Sequence, residues 1–122
     1  METTLYDCMG QPIAYIAEDP GKTVYLWSGH AVASVDHEAL VGWNGRRLGF
    51  FVRGRVYDAG GRQAGSIAEE CVYVPEAESA KSAKRTKRLK HPPEPTKPRP
   101  KFSLARSETR LLELLQRGAV PE

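Results

Sequence analysis

Few residues have the type and spacing that chemistry needs, and most of them are scattered. Gly21-Lys22-Thr23 has the ending of a phosphate-binding loop. That loop also requires a glycine where this chain has Ile16, and a helix behind it where Thr23 opens a strand-like run. The triplet reads as a turn. His30, Asp36 and His37 supply imidazole and carboxylate groups, but the strand-like Ala31–Val35 holds His30 about 16–20 Å from Asp36. They read as exposed loop polars. Asp7 and Asp58 occupy equivalent places in repeated segments and read as solubilising residues or backbone caps near turns. Cys8 and Cys71 lack metal spacing and a histidine partner, so they read as small buried hydrophobes. No serine sits in a nucleophile elbow. No catalytic, cofactor-binding or metal-ligating residue is expected, and the chain reads as a non-enzyme that needs no cofactor.

Two richer sets remain. Tyr6, Tyr15, Tyr25, Trp27, Trp43, Phe50 and Tyr57 either pack as core or form a stacking platform. The basic cluster Lys81, Lys84, Arg85, Lys87, Arg88 and Lys90 is either a solvated linker or a site for nucleic acid or another acidic surface. It would bind through counterion release, without sequence specificity. No aromatic is interleaved for base stacking. Charge is divided along the chain: 6 basic and 9 acidic residues to Tyr73, then 12 basic and 6 acidic after it. The N-terminus lacks a basic segment followed by an apolar run, and no stretch reaches 18 apolar residues. No signal peptide and no membrane span are expected, and the default location is cytoplasmic.

The elements that must position these residues are repeats. TLYDCMGQPIAYI (Thr4–Ile16) returns as TVYLWSGHAVASV (Thr23–Val35), ALVGWNGRRLGFF (Ala39–Phe51) and RVYDAGGRQAGSI (Arg55–Ile67). Each reads as a β-hairpin about Met9-Gly10, Ser28-Gly29, Asn44-Gly45 or Gly60-Gly61, pairs suited to a type I′ turn, although Met9 and Ser28 fit that type poorly. Counting outwards pairs Tyr6 with Ile13, Tyr25 with Val32, Val41 with Leu48 and Tyr57 with Ala64 on one face. On the other face Leu5, Val24, Leu40 and Val56 meet Ala14, Ala33, Gly49 and Gly65. A bulky residue against a small one, four times, marks an inner face where hairpins approach closely. Short connections make consecutive hairpins neighbours. A unit this size needs its fellows, and four can close around a common axis and remove sheet edges. Glu70–Val74 (ECVYV) reads as a ninth strand that latches the ring.

The expected organisation is a four-hairpin domain over residues 1–75, a disordered basic, Pro-rich linker over 76–101, and an apolar segment over 102–122. Ser107 is placed to cap a helix whose leucines form an apolar stripe, stopped by Gly118. Phe102, Leu104, Leu111, Leu112 and Leu115 are the candidate docking residues. They would pack on the chain's own domain, on a second copy or on another protein.

The hairpin signatures Leu-Tyr-Asp…Gly…Ala-Tyr-Ile, Tyr-Leu-Trp…Gly…Val-Ala and Gly-Trp-Asn-Gly…Leu-Gly-Phe-Phe resemble the bacterial four-fold beta flower family, over about Leu5–Ile67. A proline-rich stretch followed by a short apolar segment is similar too. The resemblance implies a mainly β fold, with four hairpins as petals about a pseudo-four-fold axis, and brings no catalytic residues. The chain departs from it at Ser34 and Val41, where an aromatic is expected, and in the basic Lys81–Lys90 run. The functional expectation is an interaction module using a tethered docking segment, with binding of polyanions through Lys81–Lys101 as the alternative. The expected partners are a protein or a second copy, or non-specific nucleic acid, and no membrane.

Overall fold

The computed structural model describes residues 2–71, 76–95 and 98–120. The eight expected hairpin strands form: β1 Thr3–Asp7, β2 Pro12–Ile16, β3 Thr23–Leu26, β4 Ala31–Asp36, β5 Ala39–Gly42, β6 Arg47–Val52, β7 Arg55–Asp58 and β8 Arg62–Ser66. Each is antiparallel to the next, and β1 pairs with β8 through Tyr6↔Ser66 and Asp7↔Gly65. The sheet is thereby closed into a barrel of four petals by β1 and β8 themselves. Of the expected latch, Glu70 ends a 3-10 turn (Ala68–Glu70), Cys71 belongs to no strand, and Val72–Val74 lies outside the described residues. β9 comes instead from Ser103–Arg106, parallel to the start of β8.

The large-against-small pairs stand as expected: Leu5↔Ala14, Val24↔Ala33, Leu40↔Gly49 and Val56↔Gly65. The next position does not. Tyr6 pairs with Pro12, Tyr25 with Ala31, Val41 with Arg47 and Tyr57 with Gln63, because every hairpin slips by one residue there. The cause is the turn. Gly10, Gly29, Gly45 and Gly61 each donate N–H to the carbonyl three residues back and alone in their turns take positive φ, 85–93°. That is a type I turn closed by a left-handed glycine bulge, not type I′. Met9 and Ser28 therefore occupy ordinary backbone. The slip adds Val32, Leu48 and Ala64 to the buried core, with Ile13 packed against it.

The barrel does not fill itself. α1 (Leu111–Gln116) enters the turn end, and its Leu111, Leu114 and Leu115 are 0–2% exposed in one cluster with Leu5, Val24, Leu40 and Val56. Each leucine buried in this way stabilises by about 1.5–3 kcal/mol. The expected helix start moves. Arg110 is the N-cap, while Ser107 accepts the Thr109 N–H and donates its hydroxyl hydrogen to Asp58. Asn44 holds the far end, donating its side-chain N–H to the Arg117 carbonyl and its backbone N–H to that of Gly118. Of the other docking candidates, Phe102 packs on Phe50 and Tyr57, whereas Leu104 and Leu112 are exposed. The hairpin domain and the C-terminal segment share one core.

Candidate interaction surface

Strand alternation sends the inner residues to the core and their neighbours outwards, so the aromatics line the outside of the petal seams. Tyr15 faces Tyr25 across the first seam, rings stacked at 5.5 Å, with the Trp27 ring edge-on to Tyr15 at 6.1 Å. Phe50 faces Tyr57 across the third. At the second seam the aromatic pair is replaced by Ser34 and Val41, with Trp43 near by. Burial raises the Tyr15 and Tyr6 hydroxyl pKa values. These rings are a platform that the chain covers itself.

The cover is the stretch expected to be a disordered linker. Its described residues have no regular secondary structure up to β9, yet they lie along the turns in order. Glu76 N–H donates to the Gly10 carbonyl, Arg85 to Gly29, Glu94 to Gly45 and Ser103 to Gly61. The donors are nine residues apart and the acceptors are the four turn glycines. A second row runs beside it, Ser82 to the Trp27 carbonyl and His91 to that of Trp43. The indole N–H of Trp27 meets the Ser79 hydroxyl and that of Trp43 the Arg88 carbonyl, again nine residues apart. Nine residues make three turns of polyproline-type chain, whose three-residue period brings the same face back to each petal.

That period sorts the basic cluster. Lys81, Lys84, Lys87 and Lys90, every third residue, face the barrel. Lys81 Nζ lies 4.4 Å from the Tyr15 ring centre, Lys84 5.5 Å from Tyr25, Lys87 5.6 Å from Trp43 and Lys90 5.4 Å from Trp43. Arg99, nine beyond Lys90, covers Phe102 at 5.0 Å. Each such contact contributes on the order of 0.5–1 kcal/mol where exposed. Acidic groups at the N-terminus and in the first connection complete the pairing: Glu2 with Lys81 at 3.1 Å and Lys84 at 2.7 Å, Asp19 with Lys87 at 3.0 Å. Lys90 donates to the Ser34 hydroxyl, where the family resemblance leads one to expect an aromatic. The hydrogen bond from Lys84 lowers the Glu2 pKa, and that to Glu2 raises the Lys84 pKa. Burial opposes the charge of Asp19, but the Thr23 N–H, Lys87 and the Thr23 hydroxyl bring its pKa down to about 2. Lys87 is raised by its hydrogen bond to Asp19. Arg85 and Arg88, between the lysines, are exposed.

The remaining candidates are placed as turn chemistry. Asp7 Oδ1 accepts the Met9 and Gln11 N–H groups, and Asp58 Oδ1 those of Gly60 and Arg62, which caps the backbone as their shared position suggested. Thr23 begins a strand and is bonded to Asp19, so the Gly21-Lys22-Thr23 turn has no helix behind it. His30 lies against the Ser28 hydroxyl; His37 and Asp36 are exposed, 3.8 Å apart. Among the described residues no three metal-ligating side chains cluster. The leucines of α1 fill the barrel axis. Cys8 and Cys71 are half-buried at the β1–β8 seam rather than in the core. What sequence reasoning missed is the register between tail and ring. Its signal was present in the lysine at every third position and in the nine-residue spacing of Lys81, Lys90 and Arg99.

Comparison with known families agrees with this geometry. The family model described as 4-fold beta flower protein matches residues 3–115, which takes in the barrel, the encircling tail and most of the plug. No curated protein and no solved structure matches. Among the described residues no helix is long and apolar enough to cross a membrane.

Proposed function

We propose, because the chain belongs to the 4-fold beta flower family and its barrel is organised around an extended segment, that it is a non-enzymatic interaction module. The barrel is a receptor for a basic, extended peptide ending in a leucine-rich helix, and its own tail is the occupant in this structure. The observation that carries this reading is the nine-residue ladder from Glu76 to Ser103 on the four turn glycines. Backbone donors on fixed carbonyls, with a cation on an aromatic seam, are a general way to hold an extended chain. A second copy of the tail, or a partner segment with lysine at every third position, would use the same contacts.

The test is a labelled peptide of residues 76–120 titrated against the full chain carrying Lys81→Gln, Lys84→Gln, Lys87→Gln and Lys90→Gln, which weakens the resident tail. Saturable binding that falls as salt rises is expected. No binding at low salt, by a variant that keeps the β signal of the parent in circular dichroism, contradicts the reading.

A second reading, binding of nucleic acid, is favoured by the exposure of Arg85 and Arg88, two cations of the same stretch that lie between the lysines. Counterion release would then come from the arginines, since the lysines already have partners. Arg85→Gln with Arg88→Gln should abolish low-salt binding to arbitrary DNA, whereas Lys87→Gln with Lys90→Gln should leave most of it. Equal losses would count against this reading.

A further inference from the structure

The two cysteines, 63 residues apart in sequence, line one cavity at the one petal seam that differs from the other three. Those three are held by three or four paired positions each, such as Ala33↔Gly42 to Asp36↔Ala39. β1 and β8 share two, Tyr6↔Ser66 and Asp7↔Gly65. Above them the strands part, and β9 takes the free edge of β8 at Arg62 and Gln63. The gap beside it is a cavity of about 270 Å³, lined by both cysteines together with Asp7, Gln63, Ser66 and Arg106. The Cys8 thiol donates to the Gln63 carbonyl at 3.6 Å. Neither cysteine has a disulfide partner here, and both are partly open to solvent.

We propose that Cys8 and Cys71 are a dithiol site, which a peroxide converts into an intramolecular disulfide across the β1–β8 seam. Burial raises the Cys8 pKa, the Arg106 guanidinium opposing it, which suits Cys8 to the second step. The Cys71 thiolate attacks one oxygen of hydrogen peroxide and the O–O bond breaks. Cysteine sulfenic acid remains, and the departing hydroxide leaves as water with the proton that Cys71 gave up. The Cys8 sulfur then displaces the sulfenic hydroxyl, which leaves as a second water with the Cys8 proton. Two electrons pass from the sulfurs to the peroxide, and one S–S bond forms.

The bond would tie the turn of hairpin 1 to the point where the chain leaves hairpin 4. Cys8 stands two residues before Gly10, whose carbonyl anchors Glu76, the first step of the encircling tail. One bridge would thus fasten the sparsest seam and the root of the tail together.

The experiment treats the full chain with hydrogen peroxide in slight excess. Intact mass, peptide mapping without reductant and thermal unfolding are then recorded. A monomer lighter by about 2 Da is expected, since two hydrogens leave on disulfide formation. A Cys8–Cys71 linked peptide and an unfolding midpoint raised until dithiothreitol is added should accompany it. Cys8→Ser and Cys71→Ser should each lose the linked peptide. Oxygen added to either cysteine without the linked peptide, dimers linked between chains, or no reaction would overturn the site. A linked monomer whose midpoint is unchanged or lowered would overturn its placement as a seam fastener.

Discussion

At the residue scale, the turn glycines do two things at once. Gly29 and Gly45 supply the positive φ of their bulges, and a Cβ on either would meet the carbonyl oxygen of Ala83 or Pro92 where the tail crosses the turn. Gly29→Ala or Gly45→Ala should cost about 1–3 kcal/mol from backbone strain alone, with the tail displaced as well. Gly60→Ala is the control: its φ is ordinary, and an added Cβ would meet only Asp58 Oδ1 at 3.5 Å. Denaturant midpoints of the three variants check this. Asp19 carries a pH prediction. Its pKa of about 2 in the fold lies below the usual value of about 3.9. Its contribution is therefore complete above about pH 4 and is lost as pH falls through about 2. With Asp19 and Lys87 partly solvated, the contribution is on the order of 1 kcal/mol. Asp19→Asn should flatten the acid limb of the stability curve between about pH 4 and pH 2. Of the two roles open to Asp7 and Asp58, solubilising or capping, the structure shows capping, because equal offsets from a glycine give equal backbone donors. The turn type was not legible, because it depends on the φ of one residue; Met9 and Ser28 were the residues that spoke against type I′.

At the level of elements, the leucine segment was legible as a helix but not as a plug. Periodicity shows which residues share a face without showing what covers it. Leu111, Leu114 and Leu115 follow the i, i+3, i+4 stripe, and Leu112 falls outside it at 40% exposure. Leu115→Ala should therefore cost about 2–5 kcal/mol, and Leu112→Ala within about 0.5 kcal/mol of nothing. Chemical denaturation of the two variants distinguishes them. The inner face of each hairpin was readable for a related reason. Leu5 against Ala14 and Val56 against Gly65 repeat a size rule that a ring imposes. At Gly65 an added Cβ would run into the Tyr6 carbonyl and the Leu111 side chain. The bulges were hidden because composition cannot tell a two-residue turn from a three-residue one when glycine ends both. Val32 and Leu48 entered the core through that difference.

At the scale of the molecule, a ring, an encircling tail and a plug make one structure from a sequence whose composition breaks sharply after Pro75. That break was readable as a change of material, and high charge with frequent proline argues for disorder when the segment is considered alone. The ordering comes from elsewhere: turn carbonyls in the correct phase, aromatic seams for cations, and acidic connections that pair with them. A chain ending after Pro75 lacks the three buried leucines and every step of the ladder, and it should show no cooperative thermal unfolding. Amide hydrogen exchange of the full chain tests the register between tail and ring. Slowed exchange is expected at Arg85, Glu94 and Ser103, with Ala83, Thr86 and Leu89 exchanging fast between them. Uniformly fast exchange from Glu76 through Ser103 would contradict it.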